Sequence, residues 1–139
     1  MNSLLDLTGM IDEVENAPEP TVAESGTEQK LRIISVRGGT AGKGDCEYFS
    51  PVYEVVDAPM VKEFSDFLWV PDKERLSEKQ FQRALHAIKV FTKCFEIDIS
   101  RPIDYEDDLP GRIGWAIVGT KKSDEYGEQN TVRKYITPK

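Results

Sequence analysis

The spacing of apolar residues along the chain changes twice. Between residues 31 and 70 they alternate with polar ones or bunch in short β-branched and aromatic runs: LRIISVR (31–37), CEYFSPVYEVVD (46–57) and VKEFSDFLWV (61–70). Period two bounded by turn residues predicts strands. The punctuation is the glycine loop GGTAGKGD (38–45), then Ala58-Pro59, then Pro71-Asp72. Pro51 sits inside the second run, and its missing N–H predicts an edge position or a bulge. The period then becomes helical. Phe81, Ala84, Leu85, Ile88, Phe91 and Phe95 fall on one face of a helix predicted over about 78–95, and Ser77 followed by Gln80 forms a capping box at its start. After a connector (96–110), with a short strand or turn expected at 97–99, period two returns in GRIGWAIVGTKK (111–122) and TVRKYITP (131–138), joined by the turn SDEYGEQN (123–130).

The first 29 residues have a different texture. Residues 12–29 contain Pro18, Pro20 and Gly26 and little that is apolar, so they cannot bury enough surface to offset their ordering entropy and are expected to be disordered. Ahead of them Leu4, Leu5, Leu7, Met10 and Ile11 cluster, with positions 4, 7 and 11 on one side of a short helix. Such a helix is marginal alone in water. The stretch Leu4–Ile11 reads either as a docking peptide or as a floppy start. The expected organisation is a disordered acidic tail over 1–29 and one folded domain over 30–139, a reasonable size for a single core.

The element order β-β-β-α-β-β is that of an OB-fold, a five-stranded Greek-key barrel with a helix between strands three and four. The expected fold class is therefore all-β with one helix. Charge sharpens this picture. The net charge is −7, yet residues 1–29 hold seven acids and no Lys or Arg, while the remainder holds 18 acidic and 18 basic residues. The acidic average thus belongs to the tail and does not exclude nucleic acid as a partner of the neutral body. There is no apolar run of about 18 residues for a membrane span and no secretory pattern at the N-terminus. Cys46 and Cys94 lack metal or redox spacing and read as reduced packing residues of a cytoplasmic protein.

Three stretches carry a resemblance to a known family: YEVVD (53–57) followed by VKEFSDFLWV, the helix FQRALHAIKVF (81–91), and the closing pair LPGRIGWAIVGTKK and YGEQNTVRKYITP, in which Leu109, Gly111, Asn130, Val132 and Tyr135 match the family's barrel-closing pattern. Over roughly residues 26–139 the chain resembles the OB-fold single-stranded-DNA-binding proteins of tailed bacteriophages, in particular a phage family long carried as a domain of unknown function. The resemblance implies a viral protein that acts in DNA replication or recombination in the cytoplasm of an infected host cell. Many members carry their acidic tail at the C-terminus; here the acidic segment is at the other end.

A non-specific single-strand binder needs aromatic faces for bases and cations for phosphates. Alternation puts Phe49, Tyr53 and Val55 on the inner side of the second strand and leaves Tyr48 outside. On the third run Phe64, Asp66 and Leu68 oppose Phe67 and Trp69, and Trp69 is expected near the surface beside Pro71. The two loops that grip oligonucleotides in an OB plan correspond to 38–44, with Arg37 and Lys43, and 121–128, with Lys121, Lys122 and Tyr126. With Arg133 on the last strand, these are the candidate nucleic-acid-binding residues: Arg37, Lys43, Tyr48, Trp69, Lys121, Lys122, Tyr126 and Arg133. The alternative is core aromatics and ordinary solvated turns. Lys79, Arg83, His86, Lys89 and Lys93 form a basic helix face, read as a solvated face, a path for the nucleic acid or a dock for the acidic tail.

Catalytic readings are weak. The glycine loop lacks the first glycine and the terminal hydroxyl of a phosphate-binding loop. His86 is the sole histidine, so no zinc site is expected. Acids 104–108 lack the spacing of a calcium loop, and no nucleophile motif is present. The expected function is non-sequence-specific binding of single-stranded DNA without chemistry, cofactor or metal. The alternative is a protein-binding OB adaptor that recruits phage or host replication and recombination proteins through Leu4–Ile11.

Overall fold

The computed structural model describes residues 3–42 and 44–138. Its elements are a 3-10 turn (Thr8–Met10), α1 (Ile11–Glu15), β1 (Glu28–Ala41), β2 (Cys46–Val55), β3 (Phe64–Ser65), β4 (Leu68–Trp69), α2 (Glu78–Cys94), β5 (Ile113–Ser123) and β6 (Gly127–Tyr135). The strands form one antiparallel sheet of six, ordered β3-β2-β1-β5-β6 with β4 also on β2. β1 is long enough to serve two neighbours. Leu31 pairs with Val55 of β2 and with Gly114 of β5, and a register shift between Ile33 and Ser35 bends the strand so that its second half follows β2 alone. A bulge of this kind increases local twist and lets a sheet curl.

β3 and β4 are one strand interrupted at Asp66 and Phe67, because Val52↔Ser65 and Phe49↔Leu68 share a single register. The break faces Pro51. The Asp66 N–H still donates to the Pro51 carbonyl (3.1 Å), but proline has no N–H to return, and the Ser50 hydroxyl donates to the Asp66 carbonyl instead (2.6 Å). Pro51 therefore lies on an interior strand, with the irregularity displaced onto its neighbour rather than onto its own strand.

The inner face of the sheet carries Leu31, Ile33, Phe49, Tyr53, Ala116 and Val118, all buried against Phe91 of α2 and Phe95 at its end. The rings interlock: Tyr53 stacks on Phe95 with centroids 5.7 Å apart, and Phe49 meets Phe91 edge-on at 5.5 Å. α2 starts as its sequence predicts. The Ser77 Oγ accepts from the Gln80 N–H and the Ser77 N–H donates to the Gln80 side chain. Its apolar face is wider than the sheet can cover: Phe81, Ala84 and Phe91 are buried, but Leu85 remains 41% exposed. The predicted strand or turn at 97–99 is not a strand; Asp98 turns the chain there by accepting from the Ser100 N–H and hydroxyl.

The sheet is not closed by a strand ladder. β3 and β6 face each other across a seam where the Tyr135 hydroxyl donates to Asp66 (2.7 Å) and the Tyr53 hydroxyl to Tyr135 (2.6 Å). Residues 21–27 fill the rest of that seam. Thr21 bridges in parallel to Val61, donating to the Met60 carbonyl and accepting from the Lys62 N–H. Ala23 is buried, and its N–H and C=O both pair with the Asn130 side chain. Gly26 donates to the Val118 carbonyl, and Thr27 accepts from the Val118 N–H. Folded structure therefore begins well before residue 30. A polar segment can be held by its main-chain groups when buried partners await them, which an argument from apolar content alone does not see. None of residues 3–20 is buried. Among the described residues no helix is long and apolar enough to cross a membrane.

Candidate nucleic-acid interface

Alternation along β2 sends Tyr48, Ser50 and Val52 to the outer face, opposite the core residues Phe49, Pro51 and Tyr53. The ladders line up their neighbours. Gly39 of β1 pairs with Tyr48, and Tyr48 pairs with Trp69; Arg37 pairs with Ser50; Val52 pairs with Ser65. Phe67 shares the parity of Ser65 and Trp69 and reaches the same face. Three aromatic rings thus cluster on the surface. Tyr48 and Phe67 stack with centroids 4.5 Å apart, and Trp69 stands edge-on to Phe67 at 4.8 Å and to Tyr48 at 6.5 Å. Phe67 is 47% exposed, while Tyr48 and Trp69 are half-buried.

Glycines make room for this cluster. A Cβ at Gly39 would stand 2.9 Å from the Tyr48 hydroxyl, so only glycine lets the tyrosine lie across β1. Gly42 turns the loop with φ +81°, a conformation that L side chains avoid, and brings its backbone beside the Trp69 ring. Arg75 steadies the same loop by donating to the Gly44 carbonyl.

Beside the aromatic face lies a polar groove of about 280 Å³, floored by Ser50, Val52 and Ser65. Arg37 of β1 and Lys121 of β5 both line it, with Glu63 and Gln129 on its rim. Arg37, which precedes the first cationic loop, and Lys121, which opens the second, thus share one depression. The remaining candidates sit elsewhere. Lys43 lies outside the described residues. Lys122 pairs with Glu128 near the tip of the β5–β6 hairpin, and Tyr126 is 62% exposed in its turn, held by the Ser123 hydroxyl; neither lines the groove. Arg133 is the extra residue of a bulge in β6, between the pairs Ile117↔Lys134 and Val118↔Val132. Its guanidinium donates to Ser25 (3.3 Å). It lines a second groove, of about 410 Å³, along the open seam with His86 and Lys134. Phe67 borders that groove too and so joins it to the aromatic cluster.

Phe67 was not among the residues the sequence singled out. Its parity with Trp69 was legible; that it stacks on Tyr48 and is the most open ring of the three was not. Some charges elsewhere pair with near neighbours. Arg32 pairs with Glu54 (2.7 Å) on the surface, a bridge of little energetic weight. The acids at 104–108 hold their own loop: Asp104 accepts the Glu106 and Asp107 N–H groups, and Asp108 accepts the Asp104 N–H and is flanked by Arg101. That backbone N–H, then Arg101, holds the Asp108 carboxyl below the usual carboxylate range. Burial pushes the Tyr53 and Tyr135 phenols well above their usual range, keeping the seam network protonated. Burial likewise raises the Cys94 thiol to about 11, so it packs against the Trp115 carbonyl as an inert group. Compared with known proteins, the sequence matches no family model and no curated protein.

Proposed function

We propose that the chain binds single-stranded DNA without sequence preference, through the outer face of β1, β2, β3 and β4. The observation that carries this reading is the surface Tyr48–Phe67–Trp69 cluster, with Phe67 its exposed ring, next to the groove that Arg37 and Lys121 share. Every base has a π-face, so stacking on such rings contributes about 1–3 kcal/mol per base regardless of sequence. The two cations supply the phosphate contacts. The strand order, third-second-first-fourth-fifth once β3 and β4 count as one, supports an OB plan opened between its third and fifth strands. On the resemblance given above, the setting is phage DNA replication or recombination. The acidic N-terminal residues would screen the face when DNA is absent, by charge alone.

Titration of a fluorescent oligo-dT over a salt series tests the proposal. Affinity should fall with salt at a slope of about −0.7 per phosphate neutralised, hence about −1.4 for Arg37 and Lys121 together. Phe67→Ala should weaken binding about tenfold, one base's worth of stacking, and Lys121→Gln should flatten the salt slope. Removing residues 1–20, which spares the packed segment 21–27, should tighten binding at low salt. The idea fails if no oligonucleotide binds at low salt, or if Phe67→Ala binds as the parent does.

A second reading, a protein-binding adaptor, is favoured by the exposure of Leu5, Leu7, Met10, Ile11 and Val14 in the N-terminal segment. A body that ignores DNA while that segment alone retains partners would establish it instead.

A further inference from the structure

The fold leaves an apolar trough along α2. Two adjoining cavities, of about 290 and 470 Å³, share Ile88, Thr92 and Ile99. The deeper one is floored by buried Phe49, Phe91 and Leu109. Leu85 and Ile99, 41% and 66% exposed, stand at the open side. Lys89 and Lys93 edge the shallower cavity, along with Glu96. The same chain carries a segment of matching chemistry. Leu7, Met10 or Ile11, and Val14 recur at the three-to-four-residue spacing by which an amphipathic helix seats its anchors in a groove. All are exposed, and Ile11–Glu15 already forms a helical turn. Asp6, Asp12, Glu13 and Glu15 surround them with no cation, the complement of Lys89 and Lys93.

We infer that residues 5–15 of one copy dock in the α2 trough of a second copy, so that two copies exchange their N-terminal segments and associate as a dimer. The segment is joined to the body through residues 16–20, which span at most about 17 Å, and Thr21 is pinned to Val61 at the seam. Reciprocal exchange between two copies gives each trough one occupant and closes the assembly without leaving an open site. The inference uses none of the residues proposed to touch DNA; the acidic N-terminal segment is shared with that reading, and the dimer is read without any nucleic acid present.

Light scattering and sedimentation of three full chains test it: the parent, a segment variant (Leu7→Asp with Ile11→Asp) and a trough variant (Leu85→Glu with Ile99→Glu). The substituted positions are exposed, and circular dichroism checks that each variant is folded. The parent should be dimeric and each variant monomeric. An equimolar mixture of the two variants should recover a heterodimer, since one intact segment meets one intact trough. A labelled peptide of residues 3–16 should bind the segment variant, weaken several-fold with added salt, and show no binding to the trough variant. A parent that stays monomeric at its highest soluble concentration overturns the inference. So does a dimer that either variant leaves intact, or a mixture that stays monomeric.

Discussion

Asn130→Ala tests whether residues 21–27 are part of the folded unit. The Asn130 side chain is 2% exposed and behaves as a strand partner for Ala23: its oxygen accepts the Ala23 N–H (2.8 Å), and its amide donates to the Ala23 carbonyl (2.9 Å) and the Gly119 carbonyl (3.0 Å). Alanine removes all three bonds and leaves a buried N–H and two carbonyls in search of partners. At a net of about 1 kcal/mol per bond, more where a buried group stays unsatisfied, the loss should be about 3 kcal/mol. For a folded unit of this size that lowers Tm by roughly 10 °C. Urea unfolding followed by tryptophan fluorescence gives the free energy, and hydrogen exchange at the Ala23 amide should become fast. The companion deletion of residues 1–20, compared at concentrations where both chains are monomeric, should change stability by no more than about 0.5 kcal/mol, because within one copy it removes exposed residues only. A loss below about 1 kcal/mol for Asn130→Ala, or an equal loss on removing residues 1–20, would refute the reasoning.

Three further outcomes are expected. Ser50→Ala removes the hydroxyl that substitutes for the N–H missing at Pro51 and should cost about 1 kcal/mol in urea unfolding. Gly114→Ala places a Cβ 2.7 Å from the Cys94 sulfur and 2.9 Å from its carbonyl oxygen, so β5 must move off the end of α2; a loss of about 1–3 kcal/mol should appear as a lower Tm. Because burial raises the Tyr53 and Tyr135 phenols, the folded state keeps protons that the unfolded chain releases once pH passes about 10. That contribution is intact below pH 10, and stability should then fall by up to about 2.7 kcal/mol per pH unit. Tyr53→Phe should halve the slope in alkaline unfolding curves while leaving the Tyr135–Asp66 bond in place.

Much of the candidate interface was legible because its ingredients are local. Alternation in CEYFSPVYEVVD separated Tyr48 from Phe49 and Tyr53, and the structure keeps that separation. The glycine loop at 38–45 and the turn at 123–130 are shorter than the sequence suggests: β1 continues through Gly38 and Gly39 to Ala41, β5 runs to Ser123 and β6 starts at Gly127. That Arg37 and Lys121 share a groove follows from the bend of β1, which no local pattern encodes. Phe67 shows the same limit: its side of the strand follows from parity, its stacking on Tyr48 only from the folded sheet. Pro51 suggests an edge strand or a bulge from its sequence position but lies at neither; the register places the irregularity at Asp66 and Phe67 on the adjacent strand.

The sequence by itself determined the long strands, the long helix and their order. Period two, period 3.6, the capping box at Ser77 and the turn residues between them act over a few residues at a time, and near neighbours decide such preferences. It also determined where the charge sits. Only the tertiary structure decided how the sheet ends meet and which polar residues belong to the body. Thr21, Ala23 and Thr27 carry little apolar surface, so nothing in their composition recruits them. Their main-chain groups are drawn in by Met60, Asn130 and Val118, partners that exist only once distant strands have come together.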